Sequence, residues 1–231
     1  MGIYVTGDTH RDFFRFFSFC SENSTTKEDI MIILGDAGIN YFLGSDDYDL
    51  KRELKMYKIT FFCIHGNHEE RPYNTECKYK EKIWHGGTVY VEDKFPNIIF
   101  AKDGEVYDFN GKKALVIGGA YSVDKYVRLQ YGERWFESEQ PDEEIKKYVE
   151  AKLEQHNWKV DIVLSHTVPI DFIPEEALIT SVDPDTVDKS TEIWLQKIYD
   201  KLEFEKWYAG HFHTEKEDGK IKIMYEDYEE I

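Results

Sequence analysis

Short apolar runs that end in a polar, mostly glycine-led motif recur along this chain, and they limit what it folds into. The motifs are Gly7-Asp8-Thr9-His10, Gly35-Asp36, Gly66-Asn67-His68-Glu69, Ser165-His166 and Gly210-His211-Phe212-His213. Ile3 to Thr6, Ile30 to Leu34, residues 59–64 and Val160 to Leu164 are the runs that lead into the first four. A run of a few residues that is apolar on both faces is the pattern of a strand inside a covered sheet. Between the runs lie stretches of helical character, Asp12 to Cys20, Asp46 to Tyr57, Asp142 to His156 and Ser190 to Leu202. The third begins after Pro141 and carries Ile145, Tyr148, Val149 and Leu153 on one face, as an amphipathic helix does.

The middle of the chain is less regular. Thr88 to Val91, Ile98 to Ala101, Glu105 to Phe109 and Ala114 to Gly118 read as short strands, and Asn110-Gly111 is a strong hairpin signal between the last two. This block predicts an antiparallel portion. Gly119 to Pro141 reads as a long loop, Trp207 to Ala209 and Ile221 to Tyr225 as closing strands, and the acidic tail Tyr225 to Ile231 as a frayed end. No repeat or composition break marks a linker. The expectation is one α/β domain over residues 1–231, with two packed sheets flanked by helices.

Bulk properties narrow the partners. The net charge is −17, from 46 acidic against 29 basic residues, which opposes broad binding to a nucleic-acid backbone. No apolar stretch approaches the ~20 residues that span a bilayer, and a motif starting at Gly7 leaves no room for a signal peptide. Met1-Gly2-Ile3-Tyr4-Val5-Thr6 fits a myristoylation pattern, but the first strand accounts for it better. Asn23-Ser24-Thr25 is a glycosylation triplet that matters only in a secreted chain. Cys20, Cys63 and Cys77 are odd in number and lack paired spacing, so no disulfide framework is expected. The compartment these features predict is the cytoplasm.

The motifs carry chemistry. In α/β folds, sites form where loops leave the carboxyl ends of strands, so these segments would converge on one edge of the core. Together they offer Asp8, His10, Asp36, Asn67, His68, His166, His211 and His213. Carboxylate, imidazole and amide oxygen form a mixed donor set suited to Mn, Fe, Zn or Ni. A carboxylate such as Asp36 can bridge two ions, and a pair ~3.5–4 Å apart clamps both oxygens of an in-line displacement at phosphorus. His65, His85 and His156 fit no motif and are expected to be structural or exposed.

In this order the motifs resemble those of the calcineurin-like metallophosphoesterase superfamily, from residue 7 to residue 213. The resemblance implies a two-sheet sandwich and two divalent ions, manganese first, with Fe, Zn, Ni or Mg as alternatives. It implies that Asp8, His10 and His213 hold metal one, that Asp36 bridges, and that Asn67, His166 and His211 hold metal two. His68 would face the phosphate and assist the leaving group. The reaction implied is hydrolysis of a phosphate ester by in-line attack of a metal-bridging hydroxide, on a small-molecule or nucleotide substrate. A phosphodiesterase or nuclease, a phosphoprotein phosphatase and a metal-stabilised binding scaffold are the alternatives. Ile39 and Asn40 stand where phosphoprotein phosphatases carry Asp and Arg, which weakens that reading, although Arg71 resembles it. Asn40 is the candidate to orient His68 instead. Gly118 to Lys125, with Arg128 and Trp135, is similar to a subgroup common in bacterial and phage genomes, and it predicts a lid in which Arg128 touches substrate. Oligomeric state is left open.

Overall fold

A computed structural model describes residues 1–177 and 182–231. Its elements in chain order are β1 (Ile3–Thr6), α1 (Phe14–Glu22), β2 (Ile30–Ile33), α2 (Ser45–Leu54), β3 (Thr60–Cys63), β4 (Lys80–Trp84), β5 (Gly87–Val91) and β6 (Ile98–Ala101). These are followed by β7 (Val106–Phe109), β8 (Lys112–Ile117), α3 (Lys125–Tyr131), α4 (Glu143–Gln155), β9 (Ile162–Ser165) and α5 (Ser190–Lys201). The described chain closes with β10 (Lys206–Ala209), β11 (Lys216–Asp218), β12 (Ile221–Ile223) and β13 (Glu229–Glu230).

The strands form a seven-stranded sheet, β13-β1-β2-β3-β6-β5-β4, and a six-stranded sheet, β11-β12-β10-β9-β8-β7. Alternation along each strand explains why they stack. Ile30, Ile32 and Phe62 face inward, where they meet Tyr107, Phe109, Val116 and Leu164 of the other sheet. Met31, Ile33 and Phe61 face outward and are covered by Phe13, Phe16 and Leu54 of the α1 and α2 region. On the far side, Leu115, Val163 and Trp207 pack against Val149, Leu153, Leu195 and Ile198 of α4 and α5. The result is a helix–sheet–sheet–helix sandwich, the α/β architecture predicted.

β1, β2, β3 and β6 run parallel, as do β8, β9, β10 and β12. The irregular middle supplies three antiparallel pairs, β4 with β5, β5 with β6 and β7 with β8, and the end of the chain adds β11 with β12 and β13 with β1. Asn110 and Gly111 both adopt positive φ, 55° and 89°, as a two-residue hairpin turn requires. Asp142 caps α4 by accepting from the N–H groups of Glu144 and Ile145, which satisfies donors the helix itself cannot.

Four parts differ from the sequence reading, one of them β11, a short and mostly exposed strand that pairs antiparallel with β12. β4 carries mostly exposed residues; a charged edge strand has no buried pattern to betray it. The stretch 119–141 is not a plain loop, because it contains α3, a helix with no buried residue. The tail does not fray. Glu229 and Glu230 pair antiparallel with Val5 and Tyr4, closing the open edge of β1. The Tyr228 ring packs 4.6 Å from Phe19, and the Ile231 N–H donates to the Ile3 carbonyl at 2.9 Å. A run rich in acids offers no hydrophobic periodicity, so the edge-closing role was invisible in the sequence.

Tyr228→Ala removes the aromatic anchor of this tail. The expected cost is about 2 kcal/mol, read as a fall in Tm of ~4–8 °C for a chain this size. An unchanged Tm would mean that the tail contributes nothing to the folded state.

Candidate metal centre

The carboxyl ends of the central strands of both sheets deliver the motif residues to one place. Two groups of donor atoms form there. In the first, His213 Nε2 lies 3.2 Å from Asp8 Oδ2 and 2.8 Å from His10 Nε2, and His10 Nε2 lies 3.6 Å from Asp8 Oδ2. In the second, Asn67 Oδ1 lies 2.8 Å from His166 Nε2 and 3.1 Å from His211 Nδ1. Asp36 Oδ2 stands between the groups, 3.9 Å from His10 Nε2 and 3.6 Å from His166 Nε2. All seven residues expected to bind metal therefore meet in one cluster.

The donors fit divalent ions, and the hydrogen bonds show why. The Nδ1–H of His166 donates to the Leu34 carbonyl at 2.7 Å. A carbonyl only accepts, so a proton sits on Nδ1, which leaves Nε2 as the nitrogen able to present a lone pair. That lone pair faces the Asn67 oxygen. Two acceptors pointed at each other repel unless a cation lies between them. Asp8 Oδ2 is buried and takes no well-formed hydrogen bond, which is costly for a carboxylate without a counter-charge. The other oxygens of both acids are held by backbone: Asp8 Oδ1 accepts from the His211 N–H at 2.9 Å and Asp36 Oδ1 from the His68 N–H at 2.7 Å. One oxygen of each carboxylate is thus positioned and the other is free.

The electrostatics favour ionised carboxylates and a neutral His211. Burial opposes charge on Asp8 and on Asp36, but the surrounding imidazoles, His166 foremost, outweigh it and hold both below the usual carboxylate range. Burial and the neighbouring His166 push His211 down to about 3, so its ring is neutral at ordinary pH. Burial, joined by Arg128 and opposed by Asp36, also lowers His68.

Backbone strain gathers here as well. His10, Asp36, His211 and His213 all have positive φ, between 45° and 71°, a region that non-glycine residues enter at a cost and usually at functional sites. Gly35 (φ 97°) passes so near His166 that a Cβ would lie 2.0 Å from Nδ1. A Cβ on Gly66 would lie 2.0 Å from Asp36 Oδ1. Buried Glu69 joins the two loops, accepting from the Gly38 N–H at 3.1 Å and the Gly66 N–H at 3.3 Å. Burial and the charge of Asp36 push its carboxyl up to about 8.

His68 sits at the edge of the cluster, with Nε2 3.9 Å from Asp36 Oδ2. Arg128 reaches it from α3, Nη2 lying 3.5 Å from His68 Nε2. The same guanidinium donates to Asp124 Oδ2 at 2.7 Å and to the Tyr41 hydroxyl at 3.1 Å. Sequence reasoning missed Asp124 and Tyr41 as partners; the signal available was that 118–124 follows the carboxyl end of β8, like every other motif. Asn40 and Arg71 are not brought to the cleft. Asn40, 1% exposed, accepts from the Tyr79 hydroxyl at 2.8 Å and donates to the Glu70 carbonyl, so it does not orient His68. Arg71, 4% exposed, is paired with Asp103 and donates to the Ser138 carbonyl. The Asn40 amide is satisfied inside the protein, Arg71 keeps one buried nitrogen, Nη2, without a partner among the described residues, and neither residue lines the cleft. His65 is buried against the Ser138 carbonyl, as a structural histidine would be.

Outside the ligands, the cleft has a volume of about 1140 Å³. Among the described residues, Tyr121, Val123, Ile170, Ile173 and Phe212 form apolar wall, and Asp124, Asp171, Glu175, Glu176, Asp188 and Glu192 add carboxylates against the one ammonium, of Lys189.

Comparison with known proteins agrees with this geometry. A family model described as calcineurin-like phosphoesterase matches residues 1–215. A solved crystal structure, 14% identical, superposes with a TM-score of 0.51 over 97% of this chain and 90% of its own. At that identity the likeness is one of fold. No curated protein sequence matches the chain.

Asp36 is the residue whose loss both donor groups feel. Asp36→Asn is expected to lower the metal bound per chain relative to wild type, measured by elemental analysis after manganese loading and desalting. A variant that retains the wild-type metal content would remove Asp36 from the metal centre.

Proposed function

The chain belongs to the calcineurin-like phosphoesterase family and is a metal-dependent phosphoric ester hydrolase; from that premise we propose that it works with a pair of ions bridged by Asp36, on a small-molecule or nucleotide phosphate. The observation that carries this reading is the place of Asp36 Oδ2 between the two donor groups, 3.9 Å from one and 3.6 Å from the other. Asp8, His10 and His213 would hold one ion, and Asn67, His166 and His211 the other. Manganese is the ion we favour, because the donors are oxygen and imidazole with no thiolate. When bound, the pair supplies an activated water and neutralises charge on the phosphoryl oxygens.

The side chains do the rest. His68, kept neutral by burial and Arg128, offers an N–H to the oxygen on which charge develops. Arg128 lies close enough to His68 to meet the same phosphoryl group. Its fork, held by Asp124 and Tyr41, reaches the reaction with little freedom left to lose. Arg71 and Asn40 serve behind this shell, holding Asp103, Ser138 and Tyr79 in place.

Charge supports a small substrate over a polymer. The carboxylates lining the cleft would repel the successive phosphates of a nucleic acid. Ile39 and Asn40, both buried, argue against the phosphoprotein phosphatase reading, and an intact donor set argues against a pure scaffold. We also propose that residues 1–231 act as one domain, that the likeness of 118–125 to bacterial and phage enzymes is genuine, and that the compartment is the cytoplasm, which the free thiols support. Among the described residues, no helix is long and apolar enough to cross a membrane.

Protein stripped of metal and refilled with Mn²⁺ should hydrolyse p-nitrophenyl phosphate or its bis-ester, and the preferred ester separates phosphatase from phosphodiesterase. Metal-loaded protein inert on both, and on a panel of nucleotides and sugar phosphates, would favour the scaffold. His68→Ala should lower kcat by ~10²–10⁴ while both ions stay bound; full activity would remove His68 from the mechanism. Arg128→Ala should raise KM. It also removes a positive charge that disfavours the imidazolium, so the limb of the pH profile due to His68 should move to higher pH. A limb that stays in place would separate Arg128 from His68.

A further inference from the structure

An asparagine ligand poses a problem that a carboxylate does not. Its amide has an acceptor at one end and a donor at the other, nearly identical in shape, so it can present the wrong end to a metal. Asn67 is 2% exposed, and its Nδ2 donates to Ser122 Oγ at 2.9 Å. Ser122 is 1% exposed and is tied in turn to Glu139: its N–H donates to Oε2 at 3.3 Å. Glu139 is 2% exposed and is anchored by the Trp135 indole N–H, which donates to Oε2 at 2.7 Å.

The contacts give this chain its direction. Glu139 accepts from the Ser122 N–H and from the Trp135 indole, which holds Ser122 beside Asn67. Ser122 Oγ turns a lone pair to Asn67, where an NH₂ satisfies it. The NH₂ faces Ser122, and Oδ1 faces His166 and His211, where it is found. We propose that Ser122, backed by Glu139 and Trp135, is a positioning residue that fixes the polarity of the Asn67 amide and so builds the second metal position. The proposal rests on the dinuclear reading above and goes beyond it, by assigning a task to the Gly118–Lys125 motif and to Trp135. The same segment carries Asp124 and Arg128, so one stretch of chain orients a metal ligand and delivers a cation beside His68.

Metal affinity tests it without recourse to turnover. Mn²⁺ binding is measured by calorimetric titration for wild type, Ser122→Ala, Asn67→Asp and the double variant. Ser122→Ala should weaken one of two sites by ~10–100-fold, the usual loss when the partner of a ligand is removed, and leave the other nearly unchanged. In the Asn67→Asp background the same change should cost less than about threefold, because a carboxylate offers oxygen at both ends. Equal losses in the two backgrounds would mean that Ser122 only packs, and wild-type affinity in Ser122→Ala would show that the amide needs no guide; either overturns the proposal. A wild-type chain that takes up only one ion would overturn the dinuclear reading itself, and this proposal with it.

Discussion

One buried carboxylate oxygen, Asp36 Oδ2, is the point on which the functional edge of this sandwich depends. It lies within 4 Å of imidazole nitrogens from His10, His68 and His166, which follow three different strands. Burying Asp36 and Asp8 without counter-charge would be strongly unfavourable. The protein supplies imidazoles and backbone N–H groups, and leaves one oxygen of each acid for a cation. The positive φ angles at four of the ligands, and the glycines that would collide if they carried a Cβ, are consequences of forcing so many donors into one small volume. Such strain persists only because the covered sheets behind it are rigid.

Much of this was legible in the sequence, for a physical reason. Strands covered on both faces are unbroken apolar runs, and the donors sit immediately after them, so Asp8, Asp36, Asn67, His166 and His211 could be read as neighbours across the whole length of the chain. What was not legible lacks any such pattern. β4 is an exposed charged edge, α3 buries none of its residues, and the closing strand β13 is two glutamates. Satisfaction of polar groups is equally invisible in one dimension. Asn40 and Arg71 looked like site residues by position, but Tyr79 and Glu70 hold the Asn40 amide, and Asp103 and Ser138 hold Arg71, away from the cleft.

The stretch from Gly118 to Glu139 gives the centre its individual character. Where phosphoprotein phosphatases place an acid and an arginine in the second motif, this chain has Ile39 and Asn40, and a cation comes instead from α3, through Arg128 clasped by Asp124 and Tyr41. The same stretch touches Asn67 through Ser122. One segment therefore touches Asn67, through Ser122, and His68, through Arg128. The cleft beyond it is apolar with a carboxylate rim, which supports the proposal of a substrate with few negative charges outside the reacting phosphate.

The central claim is a pair of ions sharing Asp36. The most direct measurement is an anomalous-difference map from crystals of the protein soaked in Mn²⁺. The account predicts two peaks ~3.5–4 Å apart, one among Asp8, His10 and His213, the other among Asn67, His166 and His211, with Asp36 Oδ2 touching both. A single peak, or two peaks without Asp36 between them, would contradict it.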